Sequence, residues 1–341
     1  MDSISTISEL LTLSGSQYRI YDIGRRIDKL SKDTFEKFEH NQLPYPYPIQ
    51  GHACIAVAFW QKVTMQPYLW FVKLPLDERG LLNQGARNHF LAIIIEALGS
   101  DLSVDPTEKQ EELLQSNPYN FTPPQYKLAF LHSELNQALM KPASQFYQHT
   151  YEYFCSTDTD LSQWHNIGVQ GISDLVVKAK SDKAVESAIS NSLSSLPNEV
   201  LMPLSTAIEN IQLSADTLST IIEYHSVAPS EVKPYLIRCL ASSTNHPFVQ
   251  EFLVQLMRDK TLSDETIITL AGRCWSALAS NDIMSAYLEL LAQKDNLALF
   301  QAIFKDLVAI PELRQVIFGC MRSSERSPKL ATAIGSLFNT Q

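Results

Sequence analysis

The residue types best suited to chemistry meet in the turn at 75–80, where Asp77 and Glu78 stand side by side with Arg79 next to them. Two carboxylates at a structured turn can ligate a metal ion or divide acid and base roles between them. They can equally serve the fold, because a carboxylate ahead of a helix start is favoured by the helix dipole and by unpaired backbone N–H groups. Adjacent turn residues rarely converge, and no histidine is fixed beside them in sequence, so the structural reading leads. His89, midway along the helix that should follow, is the imidazole able to approach the turn. A partly buried, hydrogen-bonded ring is the simpler account of it. His52 and Cys54 share one strand face at a two-residue step, but two ligands do not make a metal site.

Other reactive signatures are missing. Gly24, Gly51, Gly80 and Gly85 are isolated, with no Gly-rich run entering a Lys-Ser or Lys-Thr pair. No Gly-x-Ser-x-Gly elbow occurs, and Cys155 is followed by polar residues without a local nucleophile signature. No cofactor and no metal are therefore assigned, and the only catalytic candidates are Asp77, Glu78 and His89.

A second class of candidate is aromatic. In Leu43-Pro44-Tyr45-Pro46-Tyr47-Pro48 a proline at every second position forbids helix and central strand, leaving an extended loop of polyproline character. Tyr45 and Tyr47 in such a pre-ordered loop offer contacts at low entropic cost, but packing of the loop on its own sheet is the leading account. Tyr45, Tyr47, Asp77, Glu78 and Arg79 make up the candidate binding set. Trp164, Tyr235, Trp275 and Tyr287 read as core.

The elements that must position these residues form an α+β module. Thr6-Ile7-Ser8-Glu9 has capping-box spacing and opens a short helix. Residues 17–23 read as a strand, with Gly24 as a bulge or bend and 25–30 as its continuation, and 31–39 as a helix anchored by Phe35 and Phe38. The apolar segments 52–60 and 67–74 pair as an antiparallel hairpin, and a helix occupies 81–98 with Phe90, Ile93, Ile94 and Ala97 inward. An acidic stretch at 101–115 and a linker at 117–124 follow, then two aromatic-rich helices at 125–140 and 143–155. The module is taken as residues 1–155 with a boundary at 156–160; the linker at 117–124 is the other place the chain could divide.

Residues 160–341 carry a repeat. Pro197-Asn198-Glu199-Val200, Pro229-Ser230-Glu231-Val232 and Ser263-Asp264-Glu265-Thr266 each set a helix start ahead of an apolar stretch, at intervals of roughly 30 to 35 residues. In the third unit Ile267, Leu270, Ala271, Cys274, Trp275 and Leu278 line one helix face, and Ile283, Met284, Tyr287, Leu288 and Leu291 line another. A single hairpin cannot bury both stripes, so each unit needs a stacked neighbour. About five units, beginning near Leu161 and closed by a helix at 328–338, make an all-α helical-repeat solenoid that resembles a divergent HEAT-type array.

The formal net charge of −10 is spread over both halves, with acidic residues interrupting the basic spots at 19–37 and 314–329. No basic face tracks a phosphate backbone, and nucleic acid is not an expected partner. No apolar stretch approaches bilayer length and no basic leader precedes an apolar segment, so neither a membrane nor secretion is expected. Five scattered cysteines without metal-type spacing read as small buried side chains in a reducing cytoplasm.

The Leu76-Asp77-Glu78 turn, set between a strand and a long helix in a chain of this size, resembles a gammaproteobacterial family of unknown function marked by a Leu-Asp-Glu motif. That resemblance spans essentially the whole chain, implies a cytoplasmic bacterial protein and lends no catalytic residues. The leading expectation is a non-enzymatic cytoplasmic adaptor or regulatory protein that binds a protein partner through the array. The alternative is an enzyme or small-molecule sensor with its site around Asp77 and Glu78.

Overall fold

The computed structural model describes residues 4–62, 65–99, 102, 107–156 and 160–338. Contacts divide the chain into Met1–Pro123 with Ala309–Glu312, and Pro124–Val308 with Leu313–Gln341. The boundary expected at 156–160 falls mostly on residues 157–159, outside the described set. Division by contact lies instead at Pro123–Pro124, inside the second of the two segments the sequence offers.

In the first unit, Thr6 opens α1 (Ile7–Leu13) by accepting the Glu9 N–H at 3.0 Å. There follow β1 (Gln17–Asp22), β2 (Asp28–Leu30), α2 (Lys32–Glu39), β3 (His52–Trp60), β4 (Tyr68–Pro75), α3 (Gln84–Leu98) and α4 (Glu108–Gln115). The sheet order is β2-β1-β3-β4 with every neighbouring pair antiparallel. Residues 17–30 are therefore two strands, turned back at 23–27, where Gly24 lets the backbone approach Ile49 to a distance a Cβ would reduce to 3.0 Å. Central β3 is buried along nearly its whole length, which is why it reads as a continuous apolar run without alternation. Ile55, Val57 and Phe59 of its inner face pack with Phe35 and Phe38 of α2 and with Phe90 and Ile94 of α3.

Two further parts of this unit depart from the sequence reading. The described part of the acidic stretch is helical, because Thr107 and Gln110 form a capping box in which Gln110 Oε1 accepts the Thr107 N–H at 2.8 Å. The supposed linker lies along the free edge of β4: Lys73 N–H donates to Tyr119 O at 2.7 Å and Phe121 N–H to Phe71 O at 3.3 Å. Covering that edge satisfies backbone groups that would otherwise template another strand.

The second unit holds α5 (Gln125–Ala138), α6 (Tyr147–Cys155), α7 (Val169–Ala179), α8 (Lys183–Ser192), α9 (Asn198–Ile208), α10 (Ala215–Val227), α11 (Lys233–Cys239) and α12 (Pro247–Leu256). It continues with α13 (Asp264–Arg273), α14 (Asn281–Ala292), α15 (Leu297–Ala309), α16 (Pro311–Arg322) and α17 (Pro328–Ser336). Packing skips alternate helices. α5, α7, α9, α11 and α13 stack in one row, α6, α8, α10, α12 and α14 in a second, and α17 packs on α14. The chain is thus an α+β module followed by an all-α array, and the aromatic-rich pair α5/α6 is the first layer of the stack. Residues 161–166 form a 3-10 turn, and α11 starts at Lys233 because 229–232 is spent on a turn.

Polar ties run between successive layers beside the apolar stripes. Glu186 on α8 accepts the N–H of Ser214, the N-cap of α10, at 2.7 Å, and Glu289 on α14 accepts that of Ser327, the N-cap of α17, at 2.7 Å. Glu209, only 1% exposed, is paired with Arg238 of α11 and lies 3.5 Å from Arg273 of α13. One buried carboxylate therefore links three consecutive layers.

Candidate functional site

The Asp77 turn is held by its own backbone. Asp77 Oδ1 accepts the N–H groups of Arg79 at 2.9 Å and Leu81 at 2.8 Å, and Gly80 takes a positive φ of 83°. Those donors, the Leu81 N–H foremost, hold the Asp77 carboxyl below the usual aspartate range. Its second oxygen faces the exposed Arg79 guanidinium at 3.4 Å, and Glu78 is exposed beside it. The helix start belongs to another residue: Asn83 Oδ1 accepts the Ala86 N–H at 3.0 Å as the N-cap of α3.

His89 is engaged elsewhere, since its Nδ1 and the Tyr119 hydroxyl share a hydrogen bond of 3.2 Å that ties α3 to the segment along β4. His52 donates through Nδ1 to Gln50 O at 2.8 Å, and Cys54 is buried. Among the described residues no three His, Cys, Asp or Glu side chains are grouped to hold a metal ion.

Tyr45, a candidate for an exposed contact, is fully buried, as the account of a loop packed on its own module has it. Its ring packs 5.0 Å from that of Phe38, its hydroxyl donates to Asp22 Oδ1 at 2.6 Å, and its N–H donates to Gly80 O at 2.8 Å. Burial and the neighbouring Asp22 charge push its phenol well up, so it stays a donor. Tyr47 is half-buried, and burial followed by the Asp28 and Asp22 charges raises its phenol to about 12. The proline loop and the Asp77 turn are thus brought together as mutual supports, burial of the apolar surface of Tyr45 outweighing the local stiffness of the loop.

A pocket-like arrangement lies in the helical unit, at its first layer. Asp174 of α7 is 5% exposed and its two oxygens are filled. Oδ1 accepts from the Ser133 hydroxyl of α5 at 2.5 Å and from Gln170 at 3.1 Å, while Oδ2 accepts the N–H of Ser144 at 3.0 Å and its hydroxyl. Gly171, one turn earlier, lets α6 approach closely, since a Cβ there would lie 2.1 Å from Thr150 Oγ1. Beside these contacts lies a cavity of about 430 Å³ lined by Asn136, Gln137, Lys141, Tyr147, Asp174 and Lys178, among others. Burial raises the Tyr147 phenol, with Tyr151 adding to it.

This cavity went unread in the sequence, where a carboxylate inside the apolar run Ile172–Val177 was its one available signal: such a residue must be satisfied by partners from other elements. A groove of similar size between α1 and α2 is lined by Glu9, Asp33, Glu36, Lys37 and His40, with Lys37 and Asp33 already paired at 2.8 Å.

Comparison with known families finds one that matches residues 2–338, described as "Protein of unknown function (DUF3549)". No curated protein and no solved structure matches the chain significantly. No helix among the described residues is long and apolar enough to cross a membrane.

Proposed function

The chain belongs to the DUF3549 family, and since that membership hands down no chemistry, we propose from the chain's own geometry that it is a non-enzymatic cytoplasmic adaptor whose HEAT-like helical array binds a protein partner. The observation that carries this is the two-row stack of α5–α14, in which every layer buries its stripes on its neighbours. Stacks of this kind present one long continuous surface made of many helices. Large apolar side chains stand out from both rows: Met202 and Ile268 on α9 and α13 are 51% and 49% exposed, and Phe248 and Val254 on α12 are 48% and 39% exposed. A protein partner could desolvate such side chains, whereas they have no use in a reaction centre. The catalytic alternative has less support, because Asp77 is committed to its turn and His89 to Tyr119.

The test is co-purification of the tagged full-length protein from cells that express it naturally, beside two surface variants, Met202→Glu with Ile268→Glu and Phe248→Glu with Val254→Glu. A stoichiometric protein partner that is lost with one pair and kept with the other supports the proposal and names the row used. No stoichiometric partner, or one that both variants retain in full while remaining folded by circular dichroism, overturns it.

A further inference from the structure

The cavity of the first layer gathers polar groups that the fold leaves uncommitted. Asn136, Gln137, Lys141, Tyr147 and Lys178 all line it, and within the described residues no hydrogen bond or ion pair engages their side-chain polar atoms. Asp174 is different. A carboxylate has about four lone-pair sites, and the donors from Ser133, Gln170 and Ser144 occupy them, so it braces the walls and has no acceptor left for a ligand. The lining residues that remain are donor-rich, carrying two ammonium groups, a phenol kept protonated by burial, and two amides. Such a set complements an anion.

Next in the chain to the lining residues Lys141 and Tyr147 stand two apolar side chains, Met140, 95% exposed, and Phe146, 49% exposed. Met140 also has a φ of 55°, the left-handed region in which a helix end ordinarily uses glycine. A side chain so placed buries nothing of its own and is available to another surface.

We propose that this cavity receives an aspartate or glutamate side chain from a short peptide segment of the protein partner, seated between Lys141 and Lys178, with a neighbouring apolar residue of the same segment covering Met140 and Phe146. This rests on the adaptor reading above and adds to it the chemistry of the recognised segment. The volume suits one such side chain and its flank, and the charges favour attachment at low ionic strength.

The experiment is selection of a random displayed-peptide library on the full-length protein, followed by binding of the selected peptides to Lys141→Glu with Lys178→Glu and to Met140→Gly. Selected peptides should share an acidic residue next to an apolar one. Their affinity should fall about tenfold or more with both charges reversed, fall to a smaller extent with Met140→Gly, and weaken as salt is raised. If the charge-reversed protein does not fold, Lys141→Gln with Lys178→Gln replaces it with the same expectation of weakened binding. Selection of peptides without an acidic residue, peptides that bind the lysine variants as well as the native protein, or no selection at all overturns the inference. A natural partner that still co-purifies with the lysine variants but not with one of the row variants sinks this inference alone and leaves the adaptor reading standing.

Discussion

His225 should make the helical unit sensitive to mild acid. It lies on α10, 5% exposed, with its ring 5.0 Å from that of Phe252 on α12 at an interplanar angle of 77°, and among the described residues its Nε2 has no hydrogen-bond partner. Burial first, and the Lys233 charge second, hold its pKa down to about 4 from an ordinary value of 6.5. The ring is therefore neutral in the fold, whereas in the unfolded chain it takes up a proton as the pH drops through about 6.5. Between those two values the unfolded state binds more protons than the folded one, so stability is complete above pH 6.5 and is lost as the pH falls towards 4. A shift of this size corresponds to about 3 kcal/mol at its limit, and on the order of 2 kcal/mol once partial solvent screening is allowed for. Urea unfolding followed by circular dichroism at pH 7.5 and pH 4.5, at constant ionic strength, measures it against His225→Phe. The phenylalanine variant cannot titrate there and keeps the edge-on contact with Phe252. The stability difference between native and variant protein should move by about 2 kcal/mol in the variant's favour on acidification; a difference that is the same at both pH values refutes the assignment.

Other consequences can be measured in the same way. Gly171→Ala should cost about 2–4 kcal/mol and lower the melting temperature, because its Cβ meets Thr150 Oγ1 at 2.1 Å and the Phe146 carbonyl at 2.8 Å, while Gly272→Ala, with nothing within 4 Å, should be neutral or slightly stabilising. Glu209→Ala should cost about 2 kcal/mol by leaving the partly buried Arg238 without its carboxylate, and a melt unchanged within 1 °C would show that the link between layers carries no weight. Asp77→Ala should accelerate amide exchange at Arg79 and Leu81 relative to Asp77→Asn, which keeps a side-chain acceptor. Because the Asp77 carboxyl is held below its ordinary range, native protection at Leu81 should persist on acidification until the pH passes below the usual aspartate value.

How much was legible depended on whether the information was local or spatial. The apolar spacing of Ile267, Leu270 and Ala271, and of Ile283, Met284, Tyr287 and Leu288, is local, and all seven are buried on α13 and α14. The β3–β4 hairpin was equally visible, since β-prone apolar runs on either side of a short loop leave few alternatives. Tyr45 failed for the opposite reason. Prolines on both sides describe how the backbone extends, but the destination of the side chain is set by Phe38 and Asp22, which lie far off in the chain. The stretch 117–121 failed likewise: composition marks it as a linker, and only the open edge of β4 makes it a sheet partner.

The same division explains why the candidate site was missed. Lys141 sits in a loop, Tyr147 begins α6 and Asp174 is in mid-helix, so no spacing rule relates them. They converge because Asp174, lodged among Ile172, Leu175 and Val176, must find donors once it is buried, and Ser133 and Ser144 are the hydroxyls that layer stacking delivers to it. A buried carboxylate satisfied by two neighbouring elements fixes the gap between them, and that gap is the cavity. Buried polar groups in later layers, Glu209 and His225 among them, pack against neighbouring helices, whereas Asp174 borders a cavity whose lining includes Lys141 and Lys178. That is the reason the proposed recognition is placed at α5, α6 and α7, where a buried carboxylate borders the cavity and, among the described residues, Lys141 and Lys178 are unpaired.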